Sequence, residues 1–170
     1  MPILWIVLAV IAALVLVLYG GGSLIARDHR ATCTIVLAAP PEQVFAAISD
    51  WRSFPSWRRD VRTVEERPGG GWIETGPFGR ISLIVERSEP PSEHVTRIDD
   101  DTLPFGGTWT HRLERTPEGG TRLATTEDGF VKPPPFRLMA RLFFGYHASQ
   151  RGFQRALAAK LGERADPVDS

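Results

Sequence analysis

The first twenty-six residues contain no Asp, Glu, Lys or Arg, and within them Pro2 to Tyr19 is an unbroken run of eighteen apolar residues. At about 1.5 Å rise per residue such a run spans roughly 27 Å as a helix, close to the thickness of a bilayer core. Its five Leu, three Ile and four Val, at roughly −0.3 to −0.6 kcal/mol each, give an insertion free energy of about −5 kcal/mol with no ionised group to oppose it. Trp5 and Tyr19 stand near the two ends, where amphipathic rings prefer the headgroup level. Gly20, Gly21 and Gly22 read as a flexible exit. Residues 1–26 are therefore expected to be a single-pass anchor, with the bilayer as partner of residues 2–19.

A cleaved signal peptide is the competing reading. It calls for a basic start, a shorter apolar stretch and a small-x-small cleavage site. No Lys or Arg precedes this run, and Ser23-Leu24-Ile25-Ala26 places Leu24 where a small residue is wanted. Arg27 and Arg30 flank the C-terminal end, so the positive-inside rule puts the soluble domain in the cytoplasm.

All charges fall after the anchor, 20 Lys+Arg against 20 Asp+Glu. Zero net charge argues against nucleic acid as a partner, because phosphate neutralisation draws on a basic excess. The single cysteine, Cys33, has no partner for an internal disulfide and no Cys/His cluster for structural zinc. Residues 31–163 have the length of one domain, and residues 164–170, polar and interrupted by Pro167, read as a flexible tail.

The punctuation of this domain predicts an α+β order. Thr32 to Ala38 reads as a strand, and Pro40-Pro41-Glu42 opens a helix with Val44, Phe45 and Ile48 as its apolar stripe. Asp50 to Trp57 is a short aromatic connection. Strand-like runs follow over 58–66, 72–75, 81–88, 94–99, 108–114 and 121–128, separated by Gly- and Pro-rich turns. Pro133-Pro134-Pro135 stops the last strand. From Phe136 the period becomes helical, and Met139, Phe143, Tyr146, Phe153, Leu157 and Leu161 predict one long helix.

Three segments carry a family resemblance: Ala39-Pro40-Pro41-Glu42-Gln43-Val44-Phe45, then Asp50-Trp51 with Trp57, and the block GGTWTHRLERTPEGGTRLATTEDGFVKPPPFRLMARLFFG from Gly106 to Gly145. In this order they resemble the START-like (SRPBCC) superfamily, which includes polyketide cyclases, dehydrases and lipid-transfer proteins. The likeness covers residues 32–161. It implies a helix-grip fold, a curved antiparallel sheet wrapped around a C-terminal helix with an internal apolar cavity.

Alternation along the strands then nominates the lining. Trp109 and Leu113 mark a buried face that also holds His111, and Leu123 marks one that holds Thr125 and Glu127. A register pairing Leu113 with Leu123 sets His111 opposite Thr125 and Trp109 opposite Glu127. Trp51, Phe54, Trp57, Trp72, Phe143 and Tyr146 complete the candidates. Ordinary core packing is the competing reading for all of them, since aromatics at strand or helical spacing and a lone inward histidine usually serve structure.

Other chemistries lack their residues. Asp99-Asp100-Asp101 has neither the alternating ligands nor the glycine of a calcium loop. Phosphate-loop, dinucleotide, HExxH and GxSxG patterns do not occur. No metal or cofactor is expected. Three functions remain, in order: a membrane-anchored domain binding a hydrophobic small molecule or lipid; a cyclase- or dehydratase-like enzyme using His111 and Glu127 as acid–base groups; and a non-catalytic interaction domain at the membrane.

Overall fold

The computed structural model describes residues 2–170, leaving out the side chains of Phe143 and Phe144. Helix α1 (Pro2–Ser23) carries the apolar run. It does not end at the glycines: Gly20 to Gly22 remain helical, and Gly22 is buried. The expected flexible exit is instead a docked helix end. A Cβ at Gly22 would lie 1.9 Å from the carbonyl oxygen of Pro134, so only glycine allows this approach.

Strand β1 (Asp28–Leu37) begins four residues earlier than its sequence pattern indicated, and its alternating burial runs unbroken from Ala31 to Leu37. Helix α2 (Pro41–Ser49) starts on its proline and buries Val44, Phe45 and Ile48, the stripe anticipated from spacing. A 3-10 turn (Trp51–Ser56) buries Phe54. Strands β2 (Thr63–Glu66), β3 (Trp72–Gly76), β4 (Gly79–Glu89), β5 (Glu93–Ile98), β6 (Phe105–Arg115) and β7 (Thr121–Val131) form an antiparallel meander. The sheet order is β2-β3-β4-β5-β6-β7-β1-β8, where β8 (Val168–Asp169) pairs with Cys33 and Thr34 of β1. The expected flexible tail is thus tied down: the Ser170 amide donates to Thr32 O and the Arg151 guanidinium to Asp169.

The C-terminal helix is broken rather than continuous. Helix α3 (Pro134–Met139) passes into a π turn (Ala140–Phe144), closed by the Gly145 amide donating to Ala140 O. Gly145 has φ 65°, a left-handed conformation that ends the helix, and α4 (Ala148–Lys160) then starts anew. The helical spacing spans the break because both pieces turn an apolar face to the same sheet.

The core lies between sheet and α4, where Ile35, Leu37, Val44, Ile48, Leu113, Leu123 and Leu157 are buried with Phe153. Each such side chain contributes about 1.5–3 kcal/mol of burial. Gln150 and Gln154, one turn apart on α4, donate to the carbonyls of Ala31 and Cys33 and so fasten the helix to β1. The Glu163 carboxylate accepts the amides of Ala38 and Ala39 at the other end.

Candidate functional site

The β6–β7 ladder has the register expected from alternation, with Trp109 opposite Glu127, His111 opposite Thr125 and Leu113 opposite Leu123. What these residues do differs along its length. Halfway down, the space beneath the sheet is filled. Phe153 of α4 sits among three rings, with centroids 5.7 Å from Trp57, 5.7 Å from Trp109 and 5.1 Å from His111. His111 Nδ1 lies 3.1 Å from Thr125 Oγ1, which also accepts from Gln154 Nε2. The Thr125 hydroxyl is thereby free to donate to an unprotonated imidazole nitrogen. Burial, with His94 and Arg58 nearby, pulls His111 down to about 3. Held without a proton in this way, His111 is not among the side chains that line the cavity described below.

A second aromatic cluster absorbs most of the other candidates. Trp51 stacks on Trp72 at 5.7 Å, and Phe54 meets Trp57 and Trp72 edge-on. Arg58 covers the rings of Phe54 and Phe153 and pairs with Glu74, whose carboxylate also accepts from Trp72 Nε1 at 3.0 Å. Trp51, Phe54, Trp57 and Trp72 therefore pack one another and do not line the cavity. The side chain of Phe143 lies outside the described residues.

The hollow lies at the other end of the same strands. A cavity of about 550 Å³ opens between the start of β6, the end of β7 and the broken helix. Phe105 and Trp109 come from β6, Glu127, Phe130 and Val131 from β7, and Phe136, Met139 and Ala140 from α3 and its π turn. Ile98, Pro104, Phe78, Tyr146 and Ser149 close its sides. Glycines make room here: Gly106 and Gly107 stand on β6, where a Cβ at Gly106 would lie 2.6 Å from the Phe130 ring. Gly107, at φ 144°, lies so close to β7 that its Cβ would meet Asp128 O at 2.3 Å.

Polar groups are few and adjacent. His29 stacks on Tyr146 with centroids 4.2 Å apart and planes at 17°, and its Nε2 lies 3.5 Å from Glu127 Oε1. The side chains of His29 and Glu127 keep only 12% and 21% of their exposure. This is the composition of a small-molecule site: an apolar and aromatic wall with one polar corner to orient a ligand. Of the ten sequence candidates, Trp109, Glu127 and Tyr146 line it, while His111 and Thr125 lie deeper in the core.

The strand signal in the sequence begins at Thr32 and so leaves out His29. Continuing the alternation backward through Ala31 puts His29 on the same inward face as Cys33, Ile35 and Leu37.

The comparisons with known proteins agree with this architecture. A START superfamily protein from Mycobacterium smegmatis superposes with a TM-score of 0.63 at 15% identity, covering 79% of this chain and 97% of that one. A protein from Rhizobium loti gives 0.61 at 23% identity, over 78% and 96% of the two chains. A conserved protein from Geobacillus kaustophilus gives 0.68 at 13% identity, over 82% and 99%. No curated protein matches the chain. The model of the family described as polyketide cyclase / dehydrase and lipid transport matches residues 28–163. The helix-grip architecture and that match together make the chain a member of the polyketide cyclase / dehydrase and lipid transport family, within the START-like superfamily.

Proposed function

We propose that this chain is a membrane-tethered binding module that holds one hydrophobic small molecule or lipid in the cavity between β6, β7 and the broken C-terminal helix. The observation that carries the reading is the cavity itself, about 550 Å³, apolar over most of its wall, with His29, Glu127 and Tyr146 gathered at one place. That volume corresponds to roughly 18 water molecules at their liquid share and falls in the range of drug-sized ligand sites. Removal of that wall and its ligand from water drives binding, and the polar corner fixes which end of the ligand points inward.

The tether is α1. As an isolated run it also fits a signal sequence. Its C-terminal end, however, is built into the domain, with Gly22 of the last turn against Pro134 and Ile25 O, just past the helix, accepting from Arg137, an integration a discarded leader has no use for. By the positive-inside rule, Arg27 and Arg30 put the domain on the cytoplasmic side. A catalytic role for His111 is disfavoured by its burial and its neutral state. Any proton transfer in this cavity would fall to His29 and Glu127.

Native mass spectrometry of the full chain, released from mild detergent, tests the reading. An apolar adduct retained by the wild type and lost in Ala140→Trp, which fills the cavity, supports it. A wild-type chain that carries no adduct and takes up none from an offered lipid extract overturns it.

A further inference from the structure

The anchor and the cavity share one short helix. The face of α1 formed by Leu18, Gly21 and Gly22 is the part of that helix drawn out of solvent, and α3 lies against it. A Cβ at Gly21 would touch Leu138, and Gly22 abuts Pro134. On its other side α3 supplies Phe136 and Met139 to the cavity. Arg137 locks the arrangement by donating to the carbonyls of Val131, Lys132 and Ile25.

The apolar groups at this end are left uncovered. Phe136 is 54% exposed, Leu142 64% and Phe78 74%. Phe78, on the turn between β3 and β4, meets the Phe105 ring at 6.4 Å. Phe105 pairs with Val131, whose amide donates to Arg27 O at the foot of the anchor. Both sides of the cavity mouth thus stand within a few strand spacings of the point where the apolar run of α1 ends. Uncovered side chains of this size, continuous with a bilayer-length helix, mark a lipid-facing surface.

We propose that α3 and its π turn lie in the headgroup layer of the bilayer, docked to α1, so that the cavity mouth between Phe78 and Phe136 faces lipid and an apolar ligand passes from the membrane without crossing water. The inference rests on α1 spanning the bilayer, as in the reading above. Arg27 and Arg141, both exposed at this end, suit the anionic headgroups the segment would meet.

Single-cysteine labelling separates the outcomes. Cys33 is fully buried, so an environment-sensitive fluorophore attaches selectively to an introduced thiol. The full chain is reconstituted in liposomes of phosphatidylcholine and phosphatidylglycerol carrying a doxyl quencher near the top or near the end of the acyl chain. Labels at Leu142→Cys and Phe78→Cys are expected to lose emission to the shallow quencher, Val10→Cys to the deep one, and Glu118→Cys, on the distant β6–β7 hairpin, to neither. Quenching at Val10 with none at Leu142 and Phe78 overturns the inference and leaves the anchor standing. Absence of quenching at Val10 removes the anchor, and the inference falls with it.

Discussion

His29 and Glu127 approach to 3.5 Å although they are not partners in the β1–β7 ladder: His29 lies opposite Gly129, and Glu127 opposite Ala31. The pair is diagonal, a separation that long side chains bridge across an antiparallel ladder. The absence of a side chain at 129 is what leaves the imidazole its place. A Cβ there would lie 2.7 Å from His29 Nε2 and 3.1 Å from Glu127 Oε1. Gly129→Ala is therefore expected to displace the imidazole from Glu127 and weaken ligand retention, with little loss of stability, because the atoms a Cβ would meet are side-chain ends that can turn aside. Adduct occupancy in native mass spectra, measured beside thermal unfolding, checks both. Full occupancy in this variant would show that the pair does not read the ligand.

The neutral state of His111 ties stability to acid. The unfolded imidazole takes up a proton as pH falls through its ordinary value of 6.5, whereas the folded one holds out to about 3. Between those values the unfolded state binds more protons, so stability is full above 6.5 and is lost as pH falls, at up to about 1.4 kcal/mol per pH unit and on the order of 4 kcal/mol across the window. Burial lowers His94 as well, in the same sense. His111→Asn is expected to be less stable at neutral pH, having lost ring packing against Phe153 and Trp109. It should also show a shallower decline in acid. Urea unfolding at a series of pH values measures this, and an unchanged slope would deny His111 the role.

Cys33 is expected to be inert in the folded chain. Its thiol is fully buried and raised to about 11 by burial and by Asp169, whose Oδ1 it meets at 3.4 Å. Only the thiolate is reactive, so maleimide at pH 8 should modify the native chain far more slowly than the denatured one. Asp169→Ala removes the acceptor and the ion pair with Arg151 that holds β8 in place, and should speed modification several-fold. A mass-spectrometric time course decides it.

The legible parts of this fold were those with a strict period. The β6–β7 register followed from Leu113 and Leu123 alone, because a one-residue slip would turn every inward side chain outward. The α2 stripe followed from the spacing of Val44, Phe45 and Ile48 after the proline start. Where along the strands the cavity lies was not legible, because strand parity says which face a residue takes and not whether that face is filled. Trp109 and His111 share a face, yet one lines the hollow and the other is buried against Phe153 and Thr125. The hollow arises where the helix breaks at Gly145, and a period-based reading runs straight through that break, since Met139, Phe153 and Leu157 keep nearly the same spacing on both sides. His29 escaped for a simpler reason, that Asp28 and Arg30 beside it look like a polar linker.

Gly22 provides a test of how α1 is joined to the domain. Glycine inside a helix costs about 0.5–1 kcal/mol relative to alanine, so replacing Gly20 or Gly22 with leucine should strengthen α1 as a helix. The two sites differ in what a side chain would meet. A Cβ at Gly20 finds nothing within 4 Å, whereas at Gly22 it strikes the Pro134 backbone, with the carbonyl oxygen 1.9 Å away. A backbone carbonyl in the first turn of α3 cannot rotate aside as a side chain would, so Gly22→Leu must lever α1 off α3. Arg137 would then lose the Ile25 carbonyl, and the amides of Phe136 and Arg137, which donate to Pro133 O, would open more often. In reconstituted full chain, hydrogen exchange across residues 134–142 is expected to quicken in Gly22→Leu and stay at the wild-type rate in Gly20→Leu. Equal exchange in the two variants would mean that α3 holds its place on the sheet without α1.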